Sequence, residues 1–224
     1  NPSDNDYQNR YITIPKGTVV SGQPVKVKHH QVKKIVIKSS SLSYHLKKAA
    51  VLPGYYLEQW QDLTGDISYS HARFKRVQKP KFVLPNSDGN LYQGRVPKEY
   101  PNTFQSNKLM VTSDGYVEWY PYDSSVGPEG FINKPAGVAK IIRTTVRDNY
   151  CYLYYDHHVN GLGDKRIKKA NKTQYRLKVT DENHIVTQTI WDGGKQAFVA
   201  KLYYAQYSVG GTTYYTEVGE KSLD

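Results

Sequence analysis

Histidines are the residues of this chain whose spacing comes nearest to a metal site. They occur as His29-His30 and in the run Asp156-His157-His158, and neutral imidazole is a common ligand of zinc. Consecutive residues of a strand point to opposite faces, so one pair cannot offer both rings to one ion. A site would require the two pairs to meet in space. We therefore expect no metal ion and no cofactor.

The other candidates for catalysis are one thiol and two pairs of carboxylates. Cys151 lies in the apolar run YCYLYY, where a buried, unreactive thiol is expected, and a single cysteine allows no intramolecular disulfide. Glu58 with Asp62, or Glu99 with Glu118, could work as an acid and base only if the fold brought them together. The chain contains no nucleophile elbow, phosphate-binding loop or dinucleotide fingerprint. We predict no catalytic residue, and an enzyme acting on cell-wall polysaccharide remains an alternative.

Cations are abundant and unevenly spread along the chain. The net charge is +11, and no Asp or Glu occurs from Tyr7 to Leu57. Two shorter basic clusters follow, at 73–81 and 165–172. These charges would keep any protein soluble, but an unbalanced field of one sign also attracts polyanions. The predicted polyanion-binding residues are Lys26, Lys28, Lys33, Lys34, Lys38, Lys47 and Lys48.

The basic residues are mainly lysines, which limits the kind of polyanion that they would recognise. Lysine acts as a hydrated point charge, whereas arginine supplies the fork that reads bases and phosphates. Diffuse attraction to teichoic acid, acidic glycans or anionic lipid headgroups is therefore favoured over a specific DNA site. Nucleic-acid binding remains a second alternative, marked by aromatic side chains interleaved with basic strands.

Tyrosine is the second unusual feature of the composition, with 21 residues. Adjacent tyrosines on a strand point to opposite faces, as in the runs 150–155 and 203–215, so some rings must lie outside the core. Exposed rings can stack on sugars or bases, and core packing accounts for the others. The predicted aromatic contact residues are Tyr55, Tyr56, Trp60, Trp119 and Tyr120.

Turn residues indicate the elements that would position these side chains. Asp114-Gly115, Gly210-Gly211 and Asp192-Gly193-Gly194 each separate two β-rich runs and tolerate the backbone conformations of tight hairpins. Asp88-Gly89 and Asp181-Glu182-Asn183 are weaker turn signals of the same kind. The strands that they join should therefore be antiparallel.

These signals predict the fold class and the few helices. Leu177 and Val179 alternate with Arg176 and Lys178, which is typical of a strand with one buried face. We expect an all-β protein of antiparallel hairpins, forming a sandwich or small open barrels in two lobes. At most one or two short helices are expected, one at 41–50 and a second, basic turn at 164–170.

The stretch 121–137 is rich in Pro, Gly and Ser and lies between two β-rich halves. It indicates a linker or a long loop. The predicted division is a basic β-rich lobe at 1–120, this linker, and a tyrosine-rich β-meander lobe at 138–224.

The opening RYITIPKGTVVSG, the run TVRDNYCYLYYDHH and the Lys-rich, Cys-poor composition together resemble secreted and cell-surface proteins of lactic-acid bacteria. The resemblance implies export and association with a Gram-positive envelope. The polar first residues are similar to the trimmed edge of a longer precursor, and no run of about 18 apolar residues predicts a transmembrane segment. We expect an extracellular or surface-associated protein.

Taken together, these features predict a non-catalytic binding or adhesion module. Its Lys-rich face would attach to an anionic envelope polymer or glycan, and its aromatic patches would contact glycan or a host or surface protein. No specific nucleic acid is expected as a partner.

Overall fold

The fold is that of a computed structural model that describes residues 19, 22–28, 31–37, 42–49, 63–66, 78, 90–94, 96, 99–100, 106–123, 125 and 134–223. At 22–28, 31–37, 49, 63–66 and 99–100 only the backbone is described. The chain divides into two compact units. The first comprises residues 1–80 with 112–114, and the second comprises 81–111 with 115–224.

Among its described residues, the first unit has a small antiparallel sheet and one short helix. The sheet holds β1 (Gly22–Lys28), β2 (Gln31–Ile37) and β3 (Leu63–Asp66) in that order. The helix α1 (Tyr44–Ala49) lies within the predicted range, and Ser43 caps it because its Oγ accepts the amide of Leu46. Within the described residues, no helix is long and apolar enough to cross a membrane.

The described residues of the second unit form a ten-stranded sheet. Its strands are β4 (Asn90–Gln93), β5 (Glu99–Tyr100), β6 (Lys108–Val111), β7 (Tyr116–Tyr120), β8 (Gly137–Arg147), β9 (Tyr150–Tyr155), β10 (Lys165–Lys169), β11 (Lys172–Asp192), β12 (Ala197–Val209) and β13 (Thr212–Ser222). Among the described strands of this sheet, every pairing is antiparallel except that of β5 with β11. The predicted all-β class with antiparallel hairpins is confirmed.

The pairings of this sheet close on themselves. Starting from β11, neighbours follow in the order β12, β13, β4, β6, β7, β8 and β9, and β9 then pairs with β11 over residues 150–155 and 175–180. A closed circuit has no free edge along the strands that form it. Eight strands thus surround one core in a barrel-like arrangement.

Tyrosine fills much of that core. Tyr155, Tyr207 and Tyr214 are among the largest fully buried side chains, and they pack with a cluster of Leu, Val and Ala residues. A second, smaller cluster of Leu202, Tyr204 and Tyr215 lies on the opposite face of β12 and β13, as strand alternation requires. The two faces of these strands therefore bury tyrosines in different clusters.

The strongest turn signals are confirmed. Asp114-Gly115 joins β6 to β7, Gly210-Gly211 joins β12 to β13, and 193–196 joins β11 to β12. Gly210 and Gly211 have φ values of 59° and 93°, which residues other than glycine rarely adopt. Asp88-Gly89 lies outside the described residues.

Two predictions about local structure are wrong. The basic segment 164–170 is not helical, because β10 pairs with the start of β11 across a turn in which Ala170 and Asn171 have φ values of 46° and 62°. Asp181-Glu182-Asn183 is not a turn between strands but a bulge inside β11, with Asn183 at φ 51°. In both places residues other than glycine adopt positive φ, so the usual glycine signal is missing.

The segment 121–137, predicted as a linker, has β7 and β8 on its two sides, and these strands are antiparallel neighbours in one sheet. Residues 126–133 lie outside the described part of the chain. The division into lobes at 1–120 and 138–224 stays a prediction.

The buried tyrosines predict loss of stability at alkaline pH. Burial raises the pKa of Tyr207 and Tyr214 from 10.0 to about 12, so the folded state holds these protons while the unfolded state releases them. Stability should be intact below pH 10 and fall as the pH rises towards about 12, by up to about 1.4 kcal/mol per pH unit for each phenol. Urea unfolding across this range measures it. A free energy of unfolding that is constant across this range would contradict the burial of both phenols.

Cys151 should react slowly with thiol reagents. Its side chain is buried in the barrel core, and desolvation raises the pKa of the thiol to about 11, so little thiolate forms at neutral pH. We expect labelling of the native protein to be limited by unfolding and to become fast in urea. Equal labelling rates in native and unfolded protein would contradict this.

Candidate functional site

The predicted polyanion-binding lysines belong to the first unit, and the structure describes few of their side chains. Lys38 lies outside the described residues, and Lys26, Lys28, Lys33 and Lys34 are described by backbone alone. Lys47 and Lys48, at the end of α1, are half-buried and exposed, respectively. In the sheet, Lys34 is opposed on one side to Lys26 and on the other to Asp66. In the folded sheet, the acid-free stretch 7–57 is therefore paired with an acidic residue, Asp66.

The predicted aromatic contact residues are also divided. Tyr55, Tyr56 and Trp60 lie outside the described residues. Trp119 is half-buried and packs against the barrel core, and Tyr120 is 4% exposed.

Tyr120 is held by contacts inside the fold. Its hydroxyl donates to Glu118 Oε2 over 2.8 Å, and Lys108 Nζ lies 4.6 Å from the ring centroid. The contact role predicted for Trp119 and Tyr120 stays a prediction.

The described residues present a different concentration of charge and aromatic surface on β9. Cys151, Leu153 and Tyr155 are buried in the core. Strand alternation therefore directs Tyr150, Tyr152 and Tyr154 to the outer face, where the first two are half-buried and Tyr154 is 7% exposed. Their rings form a row, with centroids 5.5 Å apart for Tyr150 and Tyr152 and 6.2 Å apart for Tyr152 and Tyr154.

Each ring of this row carries a cation from a neighbouring strand. The guanidinium carbon of Arg143, on β8, lies 3.3 Å from the ring centroid of Tyr154. From β11, Arg176 lies 4.5 Å from Tyr152 and Lys178 lies 4.6 Å from Tyr150. Such contacts are attractive because the face of an aromatic ring is electron-rich. We call these residues, Arg143, Tyr150, Tyr152, Tyr154, Arg176 and Lys178, the tyrosine–cation face.

The strand register explains how the two cations of β11 reach their rings. Arg176 is directly opposed to Tyr154, and Lys178 is directly opposed to Tyr152. Each stacks instead on the next tyrosine along the row, a diagonal contact within reach of long side chains. The side chains of Arg176 and Lys178 thus lean in the same direction along β11.

More cations extend this face at both edges. Register places Arg147 opposite Tyr150, Lys165 opposite Arg176 and Lys169 opposite Lys172, and directly paired residues share a face. None of the face positions on β8, β9, β10 and the first part of β11 is Asp or Glu; they are 143, 145, 147, 150, 152, 154, 165, 167, 169, 172, 174, 176, 178 and 180. The described face is therefore strongly positive.

The electrostatics of Tyr154 reflect this field. Desolvation by burial opposes ionisation of the phenol, but hydrogen bonds with Thr145, Arg143 and Arg176 and the charge of Arg143 outweigh it and lower the pKa of Tyr154. A phenol stabilised as its anion indicates that the face already favours negative charge at this position.

A buried carboxylate anchors the loop that follows β9. The Asp164 side chain is fully buried and accepts hydrogen bonds from the Tyr155 hydroxyl at 2.7 Å and the Val159 amide at 3.1 Å. Its other oxygen lies 2.6 Å from His158 Nδ1. Burial, followed by the contact with Asp164, raises the pKa of Tyr155. These bonds tie residues 156–164 to the end of β9, beside the tyrosine–cation face.

The histidines of this loop are bound separately. His157 Nδ1 lies 2.6 Å from Asp156 Oδ1, and its Nε2 faces the carbonyl oxygen of Val138, whereas His158 is bound to Asp164. His29-His30 lies outside the described residues. Across the parts of the chain that the structure describes, no group of three or more His, Cys, Asp or Glu could hold a metal ion. That the protein needs no metal stays a prediction.

The sequence predicts part of this face. It indicates the tyrosines of 150–155 and the basic cluster 165–172 separately, but not Arg143, Arg147 or the pairing of Arg176 and Lys178 with tyrosine rings. One signal was available, since the spacing Tyr-x-Tyr-x-Tyr at 150–154 places three rings on one side of a strand.

Of the carboxylates named in the catalytic alternative, Glu58 and Asp62 lie outside the described residues, Glu99 is described by backbone alone, and Glu118 is fully buried.

Comparison with protein-family models, with curated proteins and with solved structures gives no match to this chain.

Proposed function

We propose that the protein is a non-catalytic module that binds an anionic polymer of the cell envelope through the tyrosine–cation face. The observation that carries the proposal is the set of cations held over tyrosine rings on one acid-free face of the barrel. Arginine and lysine together can neutralise successive phosphates or carboxylates of an extended chain. The Cys-poor, Tyr- and Lys-rich composition supports an extracellular location.

The tyrosines contribute by restricting the cations before the ligand arrives. A free lysine or arginine loses about 2 kcal/mol of rotamer entropy when it is fixed, and a cation already stacked on a ring has lost part of it. Neighbouring cations also repel one another, and the intervening rings offset this repulsion. The face should therefore bind more tightly than an equal number of unsupported surface charges.

The main alternative ligand is a single-stranded nucleic acid. Interleaved aromatic rings and cations on one sheet face favour it, because nucleic-acid-binding sheets stack bases on such rings. In this face, however, the protein's own cations lie over the rings. The rings thus support the cations, and this arrangement favours recognition of the anionic backbone over stacking of bases.

Neutralising the stacked cations should weaken binding. We expect Arg143→Gln/Arg176→Gln/Lys178→Gln to reduce affinity for purified teichoic acid at least tenfold, about 1.4 kcal/mol. The matched control, Lys134→Gln/Arg166→Gln/Lys168→Gln, removes the same charge from exposed positions outside the face and should cost about threefold or less. Binding assays at low and moderate salt measure both.

The same assay tests the prediction made from sequence. Charge reversal at Lys26, Lys28, Lys33 and Lys34 should have the larger effect if the first unit is the attachment surface. That result, or equal losses from the two triple variants, would contradict the assignment to the tyrosine–cation face. Tighter binding of single-stranded oligonucleotides than of teichoic acid, lost in the face variant, would favour the nucleic-acid alternative.

Removing one ring without changing charge separates organised cations from diffuse attraction. Tyr152→Leu leaves the net charge unchanged but removes the ring beneath Arg176, so affinity should fall about two- to fivefold, because an exposed cation–π contact is worth about 0.5–1 kcal/mol. Tyr203→Leu, at a half-buried tyrosine elsewhere, is the control. Unchanged affinity in Tyr152→Leu would show that the rings do not contribute.

A further inference from the structure

A β-ribbon formed by the second part of β11, β12 and the end of β13 carries a second surface, and β5 pairs with its β11 edge at Thr189 and Ile190. Its strands are joined by pairs such as Gln188 with Leu202 and Lys201 with Lys221. One face of the ribbon packs in the cluster of Leu202, Tyr204 and Tyr215. The other face continues the interior side of the barrel strands and includes several of the most exposed apolar side chains.

Apolar side chains concentrate at the tip of that exposed face. Trp191 is 41% exposed and Phe198 48%, and they are directly paired across the ribbon in an edge-to-face contact with centroids 5.0 Å apart. Leu223, 42% exposed, lies beside them because its amide donates to the carbonyl of Val199 over 2.9 Å. Large apolar side chains gathered at a hairpin end mark a site of contact with something apolar.

Lysines form the next row inward from the tip. Thr189, Lys201 and Lys221 are aligned across the three strands. Each lies two or three residues along its strand from an apolar residue of the tip, and two residues of a strand span about 7 Å. Lys195 is exposed in the turn. No Asp or Glu occupies the described positions of this face, since the Asp192 carboxylate accepts the turn amides of Gly194 and Lys195 and Glu220 alternates to the other face.

We propose that the ribbon tip, Trp191, Phe198 and Leu223 with Lys201 and Lys221 behind them, inserts into the surface of an anionic lipid bilayer. The exposed face meets such a surface side-on, because the turn that follows Asp192 and holds Lys195 lies beyond the apolar row. Apolar and aromatic side chains enter the boundary of the acyl chains, and cations about 7 Å along the strands from them reach the anionic headgroups.

Other occupants fit the tip less well. An edge-to-face pair with ring planes 72° apart offers no flat platform on which a sugar ring could stack. A second copy of the chain, joined face to face, would offer Lys201 and Lys221 no carboxylate from the described positions of this face. An anionic bilayer satisfies both the apolar row and the lysine row.

The test uses the full chain with phosphatidylcholine vesicles that contain or lack phosphatidylglycerol. Trp191→Ser/Phe198→Ser should lower binding to the anionic vesicles at least about tenfold, since two large side chains no longer leave water. The control Ile142→Ser/Val146→Ser changes apolar side chains that are 53% and 47% exposed on the barrel and should leave binding unchanged. Lys201→Gln/Lys221→Gln should remove most of the preference for phosphatidylglycerol, about fivefold for each lysine.

Brominated phosphatidylcholine in the same vesicles reports insertion directly, even if the double serine variant fails to fold. Wild-type fluorescence should be quenched, and Trp191→Phe should bind vesicles but lose most of the quenching. Arg143→Gln/Arg176→Gln/Lys178→Gln should keep the quenching, which separates this proposal from polymer binding. Absence of quenching, equal binding by the two serine variants, a dimer broken by Trp191→Ser/Phe198→Ser, or tip-dependent binding of a neutral oligosaccharide would each overturn the proposal.

Discussion

The pairing of β9 with β11 is the constraint on which the rest of the second unit depends. Six consecutive residue pairs, from Tyr175 with Tyr155 to Thr180 with Tyr150, close the circuit of eight strands. Closure buries Leu153 and Leu177 against each other inside the barrel. By strand alternation it also fixes the side chains of 150, 152 and 154 on the outer face. One register therefore determines both the core and the tyrosine–cation face.

The abundance of tyrosine follows from these two uses. Inside the barrel, rings such as Tyr207 and Tyr214 supply apolar volume, and burial keeps their phenols protonated. Outside, Tyr152 and Tyr154 accept cations on their ring faces. A residue with an apolar body and a polar tip suits both environments. Leucine could replace tyrosine in the first role but could not hold a guanidinium in the second.

Local signals predicted much of the fold, because tight turns depend on a few adjacent residues. The turn at Gly210-Gly211 requires positive φ, and the two glycines predict it. The turn at Ala170-Asn171 contains no glycine, so the sequence predicts a basic helical turn at 164–170, where the structure has β10. Local signals could not predict the tyrosine–cation face, because Arg143 and Arg176 reach β9 only through strand pairings that the whole barrel determines. The alternation of residues assigns each side chain to one side of its strand, but it does not show which strands lie next to that strand.

We expect the cations already held over tyrosine rings to be the groups that meet the polymer. Nuclear magnetic resonance of the arginine side chains during titration with soluble teichoic acid can observe this contact. Saturable shifts are expected for Arg143 and Arg176, with little change at Arg166, which belongs to the opposite face of β10. Shifts of equal size at all three arginines, or no shift at Arg143 and Arg176 while the polymer binds, would contradict it.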